Sequence, residues 1–283
     1  MPWSSRGSQT TTPSSPASAR PLALITGASS GIGAAFARGY ARRGHDLALV
    51  ARRADRLQAL ADELSEGFGV EALVIPADLS AWEAHKPVMA ALTGHGRHVD
   101  VLVNNAGFSI AQSFVGVPWE RQRDFLMTLV VNACGLAYDV IPGMAERGGG
   151  AIVNVASLAG FAPGAAGHSL YPAAKSLAIK FSQSLSEELR RKGIRVTAVC
   201  PGFTRTEFAE ANGTQDLMDE APRRLFQTAE EVAESAIEAN RKGRVVFVPG
   251  LHNKLAATLL HYLPEPLVTA IIRRGSARYH LGD

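Results

Sequence analysis

Seven short apolar segments alternate with helical patterns between residues 21 and 250, and this alternation constrains the fold more than any other feature of the sequence. The apolar segments, which we predict to be strands, are residues 22–25, 46–51, 70–75, 99–104, 151–156, 194–199 and 244–248. The predicted helices are residues 31–43, 55–66, 81–95, 119–145, 169–192 and 229–241. Continuous apolar strands separated by helices indicate a parallel sheet with helices on both faces. We therefore predict an α/β protein with a single-domain, doubly wound, Rossmann-type sheet of seven strands.

The two ends of the chain differ from this central domain, residues 21–250. Residues 1–20 are rich in Ser, Thr and Pro, so we expect a disordered tail, and they lack the apolar core of a secretory signal. Residues 251–283 predict a helical extension. Pro264 and Pro266 interrupt it, and Arg273 and Arg274 follow a second apolar stretch. The first part carries leucines on one helix face, at Leu251, Leu255, Leu259 and Leu263.

The use of this leucine face stays open. Packing against the core or a partner subunit is the favoured interpretation. Peripheral membrane contact is the alternative, because an amphipathic helix can serve both uses.

Charge and cysteine content narrow the class of protein. The 29 basic and 26 acidic side chains give a formal charge of +3, too small an excess to indicate a nucleic-acid partner. The two cysteines, Cys134 and Cys200, have neither zinc-site spacing nor a disulfide framework, so we predict two buried free thiols and no bound metal. Free thiols fit a reducing compartment, and we expect a cytoplasmic protein. No run of 18 apolar residues occurs, so we expect no membrane-spanning helix.

A glycine-rich turn, Thr-Gly-x-x-x-Gly-x-Gly over residues 26–33, joins the first predicted strand to the first helix. Glycines allow a sharp turn and a close approach of the backbone to a ligand. The helix start offers free N–H groups and a positive dipole end. Between a strand and a helix, this pattern predicts a dinucleotide-binding site.

Two arginines at the end of the second strand predict the form of the dinucleotide. An acid at this position would bind a ribose 2′-hydroxyl, whereas an arginine accommodates a 2′-phosphate. Arg52 and Arg53 stand here, and we interpret the nearby Asp55 as a helix cap that forms a capping box with Gln58. We therefore predict NADP(H), with solvated surface charge as the alternative use of the arginines.

Tyr171 and Lys175 lie four residues apart in a predicted helix, and Ser157 precedes Tyr171 by 14 residues. Residues four apart share a helix face, so the ammonium can lie near the phenol. A nearby cation lowers the pKa of a phenol, which is about 10 when unperturbed. This pair predicts an acid–base group, although taken alone it also fits an ordinary surface helix.

These motifs occur in one order with Asn104-Asn105-Ala106-Gly107 and Pro201-Gly202, and together they resemble the short-chain dehydrogenase/reductase family over residues 21–250. The resemblance implies the strand order 3-2-1-4-5-6-7 and an oxidoreductase that interconverts a carbonyl and a secondary alcohol. It also implies a homodimer or homotetramer formed through helices 119–145 and 169–192.

The resemblance implies a role for each matching residue. In the catalytic set, Tyr171 would be the general acid and base, and Lys175 would lower the pKa of Tyr171 and bind the nicotinamide ribose. Ser157 would polarise the substrate oxygen, and Asn132 would support a proton-relay water. Each of these residues, taken singly, could instead be structural. Together with the arginines, the cofactor site is expected to comprise Gly27, Ser29, Ser30, Gly31, Ile32, Gly33, Arg52, Arg53, Asp78, Leu79, Asn105, Ala106, Gly107, Tyr171, Lys175, Pro201, Gly202, Thr204 and Thr206.

The segment around residues 207–225 predicts the substrate cover. It mixes charged and large apolar side chains, as in a mobile lid over a lipophilic substrate. The loop of residues 162–169 is one residue longer than is usual in the family, and His168 within it is expected to be exposed or substrate-lining. Two alternatives remain for the function: a non-catalytic NADPH-binding sensor or scaffold, and a peripheral membrane reductase of lipids.

Overall fold

The computed structural model describes residues 20–164, 166–208, 212, 222–264 and 266–270. The predicted disordered tail lies outside this part of the chain except for Arg20. Most of the predicted substrate cover and the last residues of the C-terminal extension, 271–283, lie outside it as well.

Seven parallel strands form the central sheet in the order β3-β2-β1-β4-β5-β6-β9, which confirms the predicted topology. Their bounds are β1 Leu22–Thr26, β2 Asp46–Ala51, β3 Ala72–Pro76, β4 Val101–Asn104, β5 Gly150–Val155, β6 Ile194–Val199 and β9 Val246–Phe247. Two short strands, β7 Thr204–Arg205 and β8 Gln227–Thr228, pair in parallel as a second sheet. The sequence did not predict this pair, because two-residue strands have no detectable periodicity.

Helices cover both faces of the central sheet. They are α1 Gly31–Ala41, α2 Ala54–Phe68, α3 His85–Gly94, α4 Trp119–Leu126, α5 Asn132–Glu146, α6 Leu170–Leu189, α7 Ala229–Arg241 and α8 Leu251–Tyr262. Helices α1, α2 and α7 cover one face, and α3, α5 and α6 cover the other. The alternation of side chains along β1 divides the core accordingly: Ala23 and Ile25 pack on the first face, and Leu22 and Leu24 on the second.

A π-helical turn, Met127–Val131, joins α4 to α5 within the long helix predicted over residues 119–145. By length and composition alone, the run Trp119–Glu146 could cross a membrane. Here it packs against α3, α6 and the strands β4 and β5, as a helix covering a sheet does. These contacts bury 33% of its most apolar stretch, and Val131 and Tyr138 stay exposed.

The predicted capping box at Asp55 and Gln58 was wrong. Helix α2 begins at Ala54, so Asp55 lies in its first turn, and Gln58 instead donates to Asp62 at 2.8 Å. A carboxylate in the first turn still interacts favourably with the positive end of the helix dipole.

A capping box occurs at the start of α7. The Thr228 hydroxyl accepts from the Glu231 N–H at 3.1 Å, and the Glu231 carboxylate accepts from the Thr228 N–H at 2.9 Å. The two free thiols also differ from the prediction, because Cys200 is buried but Cys134 is only half-buried.

Candidate active site

The predicted site residues follow the carboxyl ends of β1, β4, β5 and β6. Strands β1 and β4 are neighbours in the sheet although two strands separate them in sequence, so the strand order reverses between them. Ligands of open α/β sheets bind in the crevice at such a reversal. The topology therefore places the glycine-rich turn and the Asn-Asn-Ala-Gly loop at one crevice.

The turn after β1 is clamped to the loop after β4. The Thr26 hydroxyl accepts from the backbone N–H groups of Asn105 and Ala106, both at 3.0 Å. The Asn105 amide donates to the carbonyl oxygens of Thr26 at 2.9 Å and Gly27 at 3.3 Å. Asn105, one of the residues expected in the cofactor site, thus has its side-chain amide engaged in fixing the turn itself.

The glycines of the turn leave no room for a side chain. Gly27 and Gly31 have φ values of 67° and 54°, in the left-handed region that favours glycine. A Cβ on Gly33 would lie 2.2 Å from the Gly27 carbonyl oxygen. Ser30, the N-cap of α1, makes no side-chain cap, so the helix start presents its backbone N–H groups to the crevice. This arrangement fits the pyrophosphate of a dinucleotide.

Arg53, which follows β2, places its guanidinium group over this turn. Arg53 Nη2 donates to the hydroxyls of Ser29 and Ser30, each at 3.0 Å, and Arg53 Nη1 lies 3.2 Å from a carboxylate oxygen of Glu207. Arg56, one helical turn later, contacts the same carboxylate at 2.6 Å. The sequence analysis missed Arg56, although its three-residue spacing from Arg53 places both side chains on one helix face. Arg52 is exposed at the strand end.

Asp78 and Leu79, which are expected in the cofactor site, have partners within the protein. Asp78 is exposed and accepts from the N–H and hydroxyl of Ser80, at 3.0 and 2.8 Å. Leu79 is buried, and its carbonyl accepts from the Asn132 amide at 2.8 Å. The loop after β3 is therefore tied directly to the helix that carries a predicted catalytic residue.

Asn132 is fully buried at the first residue of α5, immediately after the π-helical turn. Besides Leu79, its amide donates to the Ala81 carbonyl at 2.9 Å, and its oxygen accepts from the His85 N–H at 3.1 Å. The His85 ring lies 3.0 Å from the same oxygen and 3.8 Å from Asp139. The Asn132 side chain thus holds the segment 79–85, and π-helical turns of this kind are frequent at functional sites.

Ser157, Tyr171 and Lys175 come together as predicted. Ser157 lies just beyond β5 and accepts from the Ala159 N–H at 3.2 Å, and its hydroxyl also hydrogen-bonds the Tyr171 phenol. Lys175 Nζ lies 5.6 Å from the centre of the Tyr171 ring and donates to the Val155 carbonyl at 2.8 Å. A hydroxyl, a phenol and an ammonium therefore converge at the end of β5.

The expected lowering of the Tyr171 pKa was wrong for this arrangement. Burial raises the pKa of Tyr171, and the hydrogen bond with Ser157 only partly offsets that effect. Burial also lowers the pKa of Lys175 to about 8, with the neighbouring Cys200 sulfur acting in the opposite direction. The spacing in sequence could not predict this outcome, because it does not reveal that both side chains are buried.

The loop after β6 holds Thr204 and Thr206, which are expected in the cofactor site. The Thr204 hydroxyl donates to the Gly202 carbonyl at 3.1 Å, and the Thr206 hydroxyl accepts from the Phe208 N–H at 3.3 Å. A Cβ on Gly202 would lie 2.2 Å from the side-chain oxygen of Asn253, a buried residue of α8 that sequence reasoning missed. The C-terminal extension thus packs directly against this loop, beside the buried Pro201.

Three aromatic rings lie around that of Tyr171. The ring centres of Phe125, His168 and Phe208 lie 6.5, 6.3 and 6.3 Å from that of Tyr171. His168 is half-buried, and its Nδ1 lies 3.2 Å from the Ser109 hydroxyl. Burial lowers the pKa of His168, which keeps the ring neutral near pH 7. The predicted cover residues Leu217 and Met218 lie outside the described residues, whereas Leu225 and Phe226 are half-buried.

Comparison with known proteins agrees with this geometry. The family model described as short chain dehydrogenase matches residues 21–217, and the chain belongs to that family. An uncharacterized oxidoreductase of Myxococcus xanthus strain DK1622 is 40% identical over 190 residues, which are 67% of this chain and 74% of that relative.

Two further matches extend the comparison. A very-long-chain 3-oxoacyl-CoA reductase of Anas platyrhynchos is 36% identical over 193 residues, which are 66% of this chain but only 61% of the relative. The structure of a short-chain dehydrogenase from Sphingobium yanoikuyae in complex with NADPH has a TM-score of 0.75 and 36% identity, covering 86% of this chain and 96% of that one. Family and site together define an oxidoreductase that interconverts a carbonyl and an alcohol.

Proposed function

We propose that this chain reduces a lipophilic ketone with NADPH, or oxidises the corresponding secondary alcohol with NADP⁺. The NADP(H) cofactor follows from the family and from the NADPH-bound neighbour. The lipophilic character of the substrate is inferred from the exposed ring of Phe208 beside that of Tyr171. An exposed apolar ring beside the proton donor favours a substrate with an apolar body next to its carbonyl.

The residues at the end of β5 would handle the proton. Bound NADPH supplies the hydride. Tyr171 donates its phenol proton to the substrate oxygen during reduction and takes it back during oxidation. Ser157, which already hydrogen-bonds that phenol, holds the same oxygen in place. Lys175 supplies a positive charge close to the phenol, and Asn132 fixes the segment 79–85 to the start of α5.

The observation that carries this proposal is the convergence of Ser157, Tyr171 and Lys175 beside the dinucleotide crevice. Its test is a screen of NADPH oxidation over aldehydes, ketones, quinones and 3-oxoacyl thioesters, run with wild type and Tyr171→Phe. The variant keeps the ring but lacks the proton donor, so we expect turnover to fall by about 100-fold or more. Tyr138→Phe, at a side chain that is 79% exposed, is the matched control and should retain activity. Equal turnover of wild type and Tyr171→Phe would refute the catalytic assignment.

A non-catalytic sensor or scaffold is the first alternative. All four positions of the catalytic set are filled in this chain, which favours an enzyme. Tight NADPH binding without turnover of any compound in the screen would instead support the sensor.

The exposed leucines of α8 support a second alternative, a peripheral membrane reductase. Leu251, Leu255 and Leu259 are 74%, 59% and 56% exposed, so the described part of the protein leaves this face uncovered. A membrane surface and a partner subunit are the two possible covers. Co-sedimentation with liposomes, compared for the full chain and a chain truncated after residue 250, distinguishes them. Equal sedimentation would exclude the membrane.

We propose a homodimer or homotetramer in the cytoplasm. Exposed apolar side chains on α5 and α6, such as those of Tyr138 and Leu177, support an interface on these helices. A monomeric mass in solution at micromolar concentration would refute it. Fractionation of cells that express the chain tests the location.

A further inference from the structure

A carboxylate of the chain itself lies on the arginines of the cofactor crevice. Glu207 accepts from Arg56 Nη1 at 2.8 and 2.6 Å through its two oxygens, and from Arg53 Nη1 at 3.2 Å. All three side chains are between 42% and 49% exposed, so the cluster lies at the surface of the crevice. Two guanidinium groups thus share one anion.

The same cluster reaches the phosphate-binding turn. Arg53 also contacts the hydroxyls of Ser29 and Ser30 through Nη2. It follows β2, where an arginine accommodates the 2′-phosphate of NADP(H). Guanidinium nitrogens bind carboxylates and phosphates through the same forked geometry. The carboxylate of Glu207 and a 2′-phosphate are therefore alternative partners of the same donors.

Glu207 is also charged under ordinary conditions. The hydrogen bond from Arg56 holds the pKa of this carboxyl below its usual range, with Arg53 adding to the effect. While this carboxylate is bound, it occupies guanidinium N–H groups that a second anion would need. Its neighbour Thr206 packs beside Gly31 of the phosphate-binding turn, which keeps Glu207 close to the site.

We propose that Glu207 is an internal competitor for the 2′-phosphate site, and that Arg56 is a 2′-phosphate ligand that Glu207 occupies until the cofactor binds. Glu207 then weakens the binding of NADP(H) without weakening that of NAD(H). It is a residue that sets cofactor discrimination. This inference rests on the NADP(H) assignment and not on the identity of the substrate.

The experiment measures dissociation constants by calorimetry for 2′,5′-ADP and 5′-AMP, which differ in the 2′-phosphate, and for NADPH and NADH. Removing the exposed ion pair between Glu207 and the arginines frees these donors for the 2′-phosphate. Glu207→Gln should therefore bind 2′,5′-ADP and NADPH roughly two- to five-fold tighter than the wild type does. Binding of 5′-AMP and NADH should stay unchanged. Adding Arg56→Gln to Glu207→Gln should weaken 2′,5′-ADP binding by roughly ten-fold.

Glu63→Gln is the matched control. Glu63 is 48% exposed and pairs with Arg38 at 2.7 Å on a different part of the surface. Its replacement should leave all four constants unchanged. The proposal is overturned if Glu207→Gln binds 2′,5′-ADP no tighter than the control does, or if it gains equally for 5′-AMP. A wild type that prefers 5′-AMP and NADH would overturn the cofactor assignment as well.

Discussion

Replacing Lys175 by methionine should make the folded protein more stable while removing its activity. The lysine side chain is 9% exposed, and burial lowers its pKa from 10.5 to about 8. At about 1.4 kcal/mol per pH unit, holding this ammonium in the core costs the folded state about 3 kcal/mol. Methionine has a similar length and no charge, so it removes that cost.

The gain in stability is reduced because methionine cannot make the hydrogen bond that Lys175 makes. Lys175 donates to the Val155 carbonyl at 2.8 Å, and an unpaired buried carbonyl costs about 1 to 3 kcal/mol. We therefore expect Lys175→Met to be more stable than the wild type by up to about 2 kcal/mol at pH 7. At roughly 2 to 4 °C per kcal/mol, its Tm should rise by up to about 8 °C.

The difference in stability between Lys175→Met and the wild type should depend on pH. Below pH 8 both the folded and the unfolded wild type carry the charge on Lys175, so the full cost applies. Between about pH 8 and 10.5 the unfolded chain binds more protons than the folded chain, and the stability of the wild type rises with pH. The advantage of Lys175→Met should therefore be largest near pH 7 and disappear between about pH 8 and 10.5. Near pH 10.5 the variant should be the less stable protein, because only the lost hydrogen bond to Val155 remains.

Thermal unfolding followed by circular dichroism at pH 7 to 10 measures this difference, with NADPH turnover assayed in parallel. Lys180→Met changes an exposed lysine of the same helix and is the control. The reasoning is refuted if Lys175→Met melts below the wild type at pH 7 and keeps the same pH dependence. Stability gained at the cost of activity is expected of a residue held under strain for function.

Two further predictions concern the turn and the buried thiol. Gly33→Ala places a methyl group 2.2 Å from a carbonyl oxygen, so NADPH affinity should fall by about ten-fold or more and stability by about 1 to 3 kcal/mol. Gly94→Ala, which has open space around it, is the control for both titration and melting, and an equal effect of the two changes would contradict the steric argument. Burial raises the pKa of Cys200 to about 12, so this thiol should resist alkylation at pH 8 until the chain is unfolded. Mass spectrometry of native protein treated with iodoacetamide tests this, and rapid labelling of Cys200 would contradict it.

The strands and the location of the site could be predicted from patterns within single segments, whereas the sheet order was expected only from the resemblance to the family. The apolar runs identify the strands, and the glycines at positions 27, 31 and 33 are needed by backbone geometry that tolerates no side chain. The placement of Arg53 at the end of β2 also follows from position alone. Local sequence therefore determines which residues line the crevice.

The contacts between distant segments could not be predicted. Glu207 follows Arg53 by 154 residues, and the fit of Asn253 against Gly202 depends on how α8 returns to the sheet. The pKa of Tyr171 was mispredicted for the same reason, since burial and the partner of Lys175 are properties of the folded chain. The capping box illustrates the limit within a segment: Thr228 and Glu231 have the same spacing as Asp55 and Gln58, but only the former pair flanks a helix start.

The most direct test of this account follows deuterium from NADPH deuterated at C4 into a ketone found by the screen, using wild type and Tyr171→Phe. We expect one deuterium on the alcohol carbon of the wild-type product, and a rate at least about 100-fold lower in the variant with NADPH affinity unchanged. Product without deuterium, or equal rates of transfer in the two proteins, would contradict it.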